Sequence, residues 1–166
     1  MKNKILITMT ALLVTLALTA CASDSGGSQQ AADLSTVIEK LYQNIEVPPN
    51  ETIVLDKDNF EYFAFIPYGD GLTGAAADAL VNITPHSLVV IHTDGGNGAE
   101  LAEQVSENAD PNKWLCVRAD SLRVAYTDHY VVLVMSDREM VEDVMENFKA
   151  MAKDLDGMEM QLLPGK

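Results

Sequence analysis

The sequence predicts an α+β fold, a two-layer domain in which a small, largely antiparallel sheet has helices packed against it. Two observations carry that expectation. Apolar residues recur at helical spacing in three separated stretches, around 34–45, 101–105 and 140–152. Between them lie strand patterns, the continuous run Leu88-Val89-Val90-Ile91 and two alternating segments around 122–126 and 131–135. Helical segments thus precede, separate and follow the strands, an order that fits a sheet covered on at least one side by helices.

The chain opens with Lys2 and Lys4, followed by the apolar run Ile5 to Ala17, interrupted only by Thr8, Thr10 and Thr15. This is the charge and length profile of a signal peptide, and it is short for a spanning helix, which needs about 20 apolar residues. The run ends in Leu18-Thr19-Ala20-Cys21 and turns polar at once. That ending resembles a lipobox. The resemblance implies cleavage between Ala20 and Cys21, with residues 1–20 removed, and a diacylglyceryl group on the Cys21 thiol. Two or three acyl chains anchor durably, whereas one is marginal at about 0.8 kcal/mol per buried methylene. Residue 22 is Ala rather than Asp, so in a host with two membranes the usual sorting logic would not retain the protein at the inner one.

Residues 21–32 then read as a lipidated N-terminus and flexible linker, because Ser23, Asp24, Ser25, Gly26, Gly27, Ser28, Gln29 and Gln30 cannot bury a core. A single α+β domain is expected over 33–166. Leu34, Val37, Ile38, Leu41, Tyr42 and Ile45 form an amphipathic first helix with Asp33 as its cap, ended by Pro48-Pro49. Phe60, Tyr62, Phe63, Phe65 and Ile66 precede Pro67 as a strand or a short helix running into one, and Gly69, Gly71 and Gly74 mark a loop.

Leu88 to Ile91 suggest a strand buried on both faces. A loop over 94–98 leads into a helical stripe of Leu101, Ala102 and Val105, which Asp110-Pro111 stops. Another strand is expected from Trp114 to Val117. Leu122, Val124 and Tyr126 then alternate against Val131, Leu133 and Met135 across Thr127-Asp128-His129, which is a hairpin pattern. The last helix carries Met140, Val141, Val144, Met145, Phe148, Met151 and Ala152 inward, with Glu142, Asp143, Glu146 and Lys149 outside.

His86-Ser87-Leu88-Val89-Val90-Ile91-His92, Lys113 to Val117 and Asp128 to Asp137 resemble the lipoproteins collected as domain of unknown function 4358, over most of the chain. The resemblance implies a lipobox, a short tether and one α+β domain. It implies no activity.

The formal charge is −14, and removal of Lys2 and Lys4 with the leader would take it to −16. Such acidity repels phosphate backbones and anionic headgroups, so nucleic acid is not an expected partner. If Cys21 is lipidated, Cys116 has no partner within the chain; a buried thiol in an apolar strand is its expected state.

Candidate chemistry is thin. Asp94-Gly95-Gly96-Asn97-Gly98 fits neither the dinucleotide fingerprint nor the phosphate-loop spacing, and reads as a turn before a helix. Asp56-Lys57-Asp58-Asn59 resembles half a calcium loop but lacks the Gly and distal Glu, so a turn or cap is expected. His86, His92 and His129 show no ligand spacing, and two of them could meet only if the sheet joins their strand ends. The methionines Met135, Met140, Met145 and Met151 sit on apolar stripes as fillers, with Met158 and Met160 outside them. No G-x-S-x-G is found, nor a convincing Ser near a His.

No catalytic residue, metal ligand or cofactor is therefore assigned. The expectation is an extracytoplasmic, membrane-anchored, non-enzymatic accessory domain with an envelope protein as its partner. The alternative is a small-ligand or metal-binding module built on the loops near Asp56 or Asp94 with Tyr62, Phe65 and Tyr68.

Overall fold

The computed structural model describes residues 26–81 and 83–165. The expected leader over 1–20, the cleavage site at Ala20 and the lipidation site Cys21 lie outside the described residues, as do residues 22–25. The first helix, α1, spans Gly26–Leu41. It begins earlier than the expected start at Asp33, so part of the stretch read as a linker is helical. Leu34, Val37, Ile38 and Leu41 are its buried residues, one face repeating at three- and four-residue steps.

Five further elements precede the hairpin. These are β1 (Asn50–Leu55), α2 (Phe60–Ala64), β2 (Leu72–Ala79), β3 (Ser87–Thr93) and α3 (Gly98–Asn108). The hairpin strands are β4 (Ser121–Tyr126) and β5 (Tyr130–Ser136), followed by α4 (Arg138–Asp156) and the two-residue β6 (Gln161–Leu162). The strands form one antiparallel sheet in the order β1-β2-β3-β5-β4-β6. The fold is α+β, as the pattern predicts. The hairpin register pairs Leu122 with Met135, Val124 with Leu133 and Tyr126 with Val131, the three pairs that the alternation sets opposite one another.

β3 and β5 lie at the centre of the sheet and are buried on both faces, hence their near-continuous apolar sequence. On one face Leu88, Val90, Val132 and Val134 pack under α1 and α4 in one core. On the other, Val89, Ile91, Leu133 and Met135 join Phe60 and Phe63 of α2 and Leu101 and Val105 of α3 in a second core. Each fully buried Val, Leu or Phe contributes about 1.5–3 kcal/mol. Asp137 caps α4 by accepting from the Met140 N–H at 2.9 Å, and Gly157 ends it in the left-handed region at φ 72°.

Four expectations are corrected. β1 and β2 were not foreseen, and Gly74, expected in a loop, lies inside β2. Beyond Thr73 its sequence, Leu-Thr-Gly-Ala-Ala-Ala-Asp-Ala, has no β-branched residue, and α1 lies close over Ala75 and Ala77. A Cβ at Gly74 would meet Leu55 Cδ1 at 2.9 Å and Phe60 Cε2 at 3.1 Å. Close packing, not propensity, makes this segment a strand.

The aromatic stretch is resolved as a short helix, ended by Phe65 at φ 60°. No strand forms over Trp114 to Val117. Nor is Cys116 buried; it is exposed, and Leu115 beside it is 98% exposed. The direction of this segment is set by Lys113, whose ammonium turns inward to a carboxylate, so apolar alternation does not govern it.

Candidate functional site

Lys113 draws together three parts of the chain. Its Nζ donates to both carboxylate oxygens of Asp78 on β2, at 3.1 and 3.0 Å, and to Ser87 Oγ on β3 at 3.2 Å. Asp78 and Ser87 are cross-strand neighbours, so the sheet register places both acceptors. The rings of Tyr62 and Phe63, from α2, and of Trp114 lie 5.1–5.3 Å from the ammonium. Its side chain is only 4% exposed. Burial lowers the Lys113 pKa, and the Asp78 charge and hydrogen bonds oppose that shift.

A lysine beside a serine is a nucleophile-and-base arrangement in principle. Here Ser87 is fully buried and the lysine is held by a carboxylate, so the group works as a clamp between α2, the sheet and the 113–115 segment. Sequence reasoning gave Lys113 no role, because its partners are 26 and 35 residues away.

The histidines end in two places. His86 is buried: Nε2 lies 2.6 Å from Tyr42 Oη at the end of α1, and Nδ1 lies 3.2 Å from Ser136 Oγ at the end of β5. The Ser136 hydroxyl donates to Met140 Sδ at 3.5 Å. Its oxygen therefore accepts from His86 Nδ1–H, leaving Nε2 to accept from the Tyr42 hydroxyl; the tautomer is assigned from this network. Burial first, and Lys113 second, lower the His86 pKa to about 4 against the pull of Asp78 and Asp137. Burial and Asp78 push the Tyr42 hydroxyl well above its ordinary value. A serine does meet a histidine, contrary to the sequence reading, but both side chains are sealed in.

His92 and His129 meet at the other end of the sheet, with ring centroids 6.2 Å apart and nearly parallel, and the Tyr130 ring edge-on to His92 at 5.0 Å. The β3–β5 ladder pairs His92 with Tyr130, which brings the strand ends together. Asp156, at the end of α4, accepts from the His129 backbone N–H at 2.9 Å and lies 2.8 Å from His129 Nδ1. Burial works to raise the Asp156 carboxyl, but hydrogen bonds from Thr127 and His129, with the His129 charge, hold it below its ordinary value. Burial also lowers the His92 pKa, against the nearby Asp94 carboxylate. Among the described residues no three His, Cys, Asp or Glu side chains form a group that could hold a metal ion.

The two acidic loops are turns, as their sequences predict. Asp56 Oδ1 accepts from the Asp58 and Asn59 N–H groups, and Asn59 Oδ1 accepts from the Asp56 N–H. In the 94–98 loop the Thr93 hydroxyl donates to Asn97 Oδ1 at 2.6 Å, and the Gly98 N–H donates to the Asp128 carbonyl at 2.8 Å. Each loop borders an open groove. One, of about 350 Å³, includes Asp56, Lys57 and Gly74; the other, of about 480 Å³, includes Asp70, Thr93 and Asn97. Tyr68 and Leu72 line both. Of the methionines, Met135, Met140 and Met145 are in the cores and Met158 Sδ accepts from the Asp128 N–H.

The remaining feature is apolar and exposed. Leu80, Val81 and Ile83, in the β2–β3 connection, are 60%, 47% and 78% exposed, and Tyr62, on the Lys113 clamp, is 62% exposed. With Leu115 they lie around one end of the sheet. No family model matches the chain. Neither a curated protein nor a solved structure is significantly similar to it.

Proposed function

We propose that the chain is an extracytoplasmic lipoprotein, held to the cell membrane by a diacylglyceryl group on Cys21, whose domain binds a protein partner in the envelope and catalyses no reaction itself. The observation that carries the reading is the group of exposed apolar side chains Tyr62, Leu80, Val81, Ile83 and Leu115, in a domain whose other large aliphatic residues are mostly buried. Exposed apolar groups gathered in one region, rather than scattered singly, mark interaction sites. The Lys113 and His86 groups support it too, because each spends its polar atoms on holding the fold together.

Membership of the lipoproteins of domain of unknown function 4358 belongs to the same proposal. It rests on the β3, 113–117 and β5 residues alone, since no family model matches.

Affinity recovery of the tagged protein from detergent-solubilised membranes tests the binding reading. A reproducible stoichiometric partner is expected at native expression, and its absence would refute the reading. Cys21→Ser tests the anchor, with release from the membrane fraction and loss of lipid labelling expected. Unchanged labelling would sink that part.

A second reading, a small-ligand or metal-binding module, is favoured by one observation: the grooves beside Asp56 and Asp94 share Tyr68 and Leu72. Binding to the native state raises the melting temperature. A thermal-shift screen with calcium, zinc, copper and amino acids would support it by a shift of several degrees and remove it by a flat response.

A further inference from the structure

Resting on the binding reading above, we infer that the partner docks at the membrane-distal end of the domain, on the apolar tip formed by Leu80, Val81 and Ile83 with Tyr62 and Leu115, and that it is a protein presenting an apolar recess rimmed by basic side chains.

The direction of α1 places the tip. Midway along it, the charge of Asp33 acts on Tyr130, the residue paired with His92; just past its end, Tyr42 meets His86. The helix therefore runs from the His92 end of the sheet to the His86 end, where the β2–β3 connection lies. From Gly26 to Tyr42 is roughly 24 Å at 1.5 Å per residue. Cys21 precedes Gly26 by five residues, a reach of at most about 17 Å at full extension. Even doubled back, that length cannot bring the anchored residue level with the tip. The chain leaves toward the membrane at one end, and the apolar side chains stand at the other.

Hydrogen bonds hold the described residues that flank the tip. The Leu80 N–H donates to the Pro49 carbonyl at 2.9 Å, the Ala79 N–H to the His86 carbonyl at 3.1 Å and the Thr84 N–H to the Val81 carbonyl at 3.3 Å. The Lys113 ammonium joins Asp78, two residues before Leu80, to Tyr62 and to the segment carrying Leu115. Contacts already made before docking lessen the conformational entropy that binding costs.

Charge selects among occupants. Exposed carboxylates at or next to this end include Glu51, whose strand neighbour is Asp78, Glu61 beside Tyr62, Asp120, Asp137 and Glu139; Arg118 and Arg138 are the nearby exposed cations. A second copy would set this acidic rim against itself, and anionic headgroups would repel it. A basic-rimmed protein surface is complementary.

The exposed Cys116 thiol, next to Leu115, provides the probe. In membranes carrying the full lipidated protein, Cys116 is labelled with a benzophenone maleimide and irradiated. The control carries the same label on Asp128→Cys in a Cys116→Ser background, at the opposite end of the sheet. The expected result is one discrete heterologous adduct from Cys116 and none from position 128. Its yield should fall at least about tenfold with Ile83→Asp, and several-fold in high salt as charge is screened. The Ile83→Asp melting temperature should stay unchanged, because the side chain is exposed.

An adduct of twice the chain mass, an adduct to lipid, or a heterologous adduct whose yield Ile83→Asp leaves intact would overturn the inference. If a partner co-purifies with wild type and Ile83→Asp equally, the binding reading survives and this surface does not. If nothing co-purifies and neither position cross-links, both fall.

Discussion

Acidification should destabilise this domain through His86. The imidazole is buried and neutral, with Nε2 accepting from Tyr42 and Nδ1–H donating to Ser136. Protonation would put a second donor toward the Tyr42 hydroxyl and a charge into the core. The folded pKa is about 4, against an ordinary value of 6.5. The unfolded chain therefore takes up the proton first, and stability falls as pH drops from about 6.5 toward 4. At pH 4.5 these two values favour unfolding by roughly 60-fold, or about 2.5 kcal/mol, relative to neutral pH. That is a large fraction of a typical domain stability of about 5–15 kcal/mol.

The assay is urea denaturation at pH 7 and pH 4.5, followed by the fluorescence of Trp114, the single tryptophan of the chain. His86→Gln keeps a donor and an acceptor but does not titrate. It is expected to start less stable at pH 7 and then lose about 2.5 kcal/mol less than wild type on acidification. Equal losses in the two proteins would refute the buried neutral histidine as the source.

Three other perturbations separate the clamps. Lys113→Met should cost about 3–5 kcal/mol, because it leaves the Asp78 carboxylate without its cation; adding Asp78→Asn should restore more than half of the loss in the melting curve. Gly98→Ala should cost about 2–4 kcal/mol by thermal denaturation, since its Cβ would lie 2.0 Å from the Thr127 carbonyl oxygen and 2.8 Å from that of Asp128, both backbone atoms. Asp156→Asn should destabilise by about 1–3 kcal/mol at pH 7. The Asp156 pKa is depressed, so the stability it contributes is present above the ordinary carboxyl value and lost as pH falls through the folded one. Denaturation at pH 3 should accordingly show a smaller gap between variant and wild type than at pH 7.

The two centres that organise the molecule were not legible in advance. His86 joins Tyr42 and Ser136, 44 and 50 residues away, and Lys113 joins Asp78 and Ser87 across similar separations. No local spacing encodes such pairs. The sequence allows two of the three histidines to meet only if the sheet joins their strand ends, and the β3–β5 ladder does so for His92 and His129. The 114–117 segment misled for a related reason. Its apolar letters read as a buried strand, whereas the inward turn of Lys113 leaves Leu115 and Cys116 exposed.

What the sequence by itself determined is what local periodicity carries. The core stripes of α1, α3 and α4, the buried β3 and the β4–β5 pairing all follow from where apolar residues recur, because burying those faces is the dominant gain in folding. The Leu18-Thr19-Ala20-Cys21 motif, on which the proposed anchor rests, is legible for a like reason, being contiguous in the chain. Only the tertiary structure decided that an alanine-rich segment becomes β2, since the nearness of α1, Leu55 and Phe60 admits nothing larger. It alone also brought Tyr62 and the segment carrying Leu115 to the end of β2, because that neighbourhood depends on a lysine reaching across the fold to Asp78.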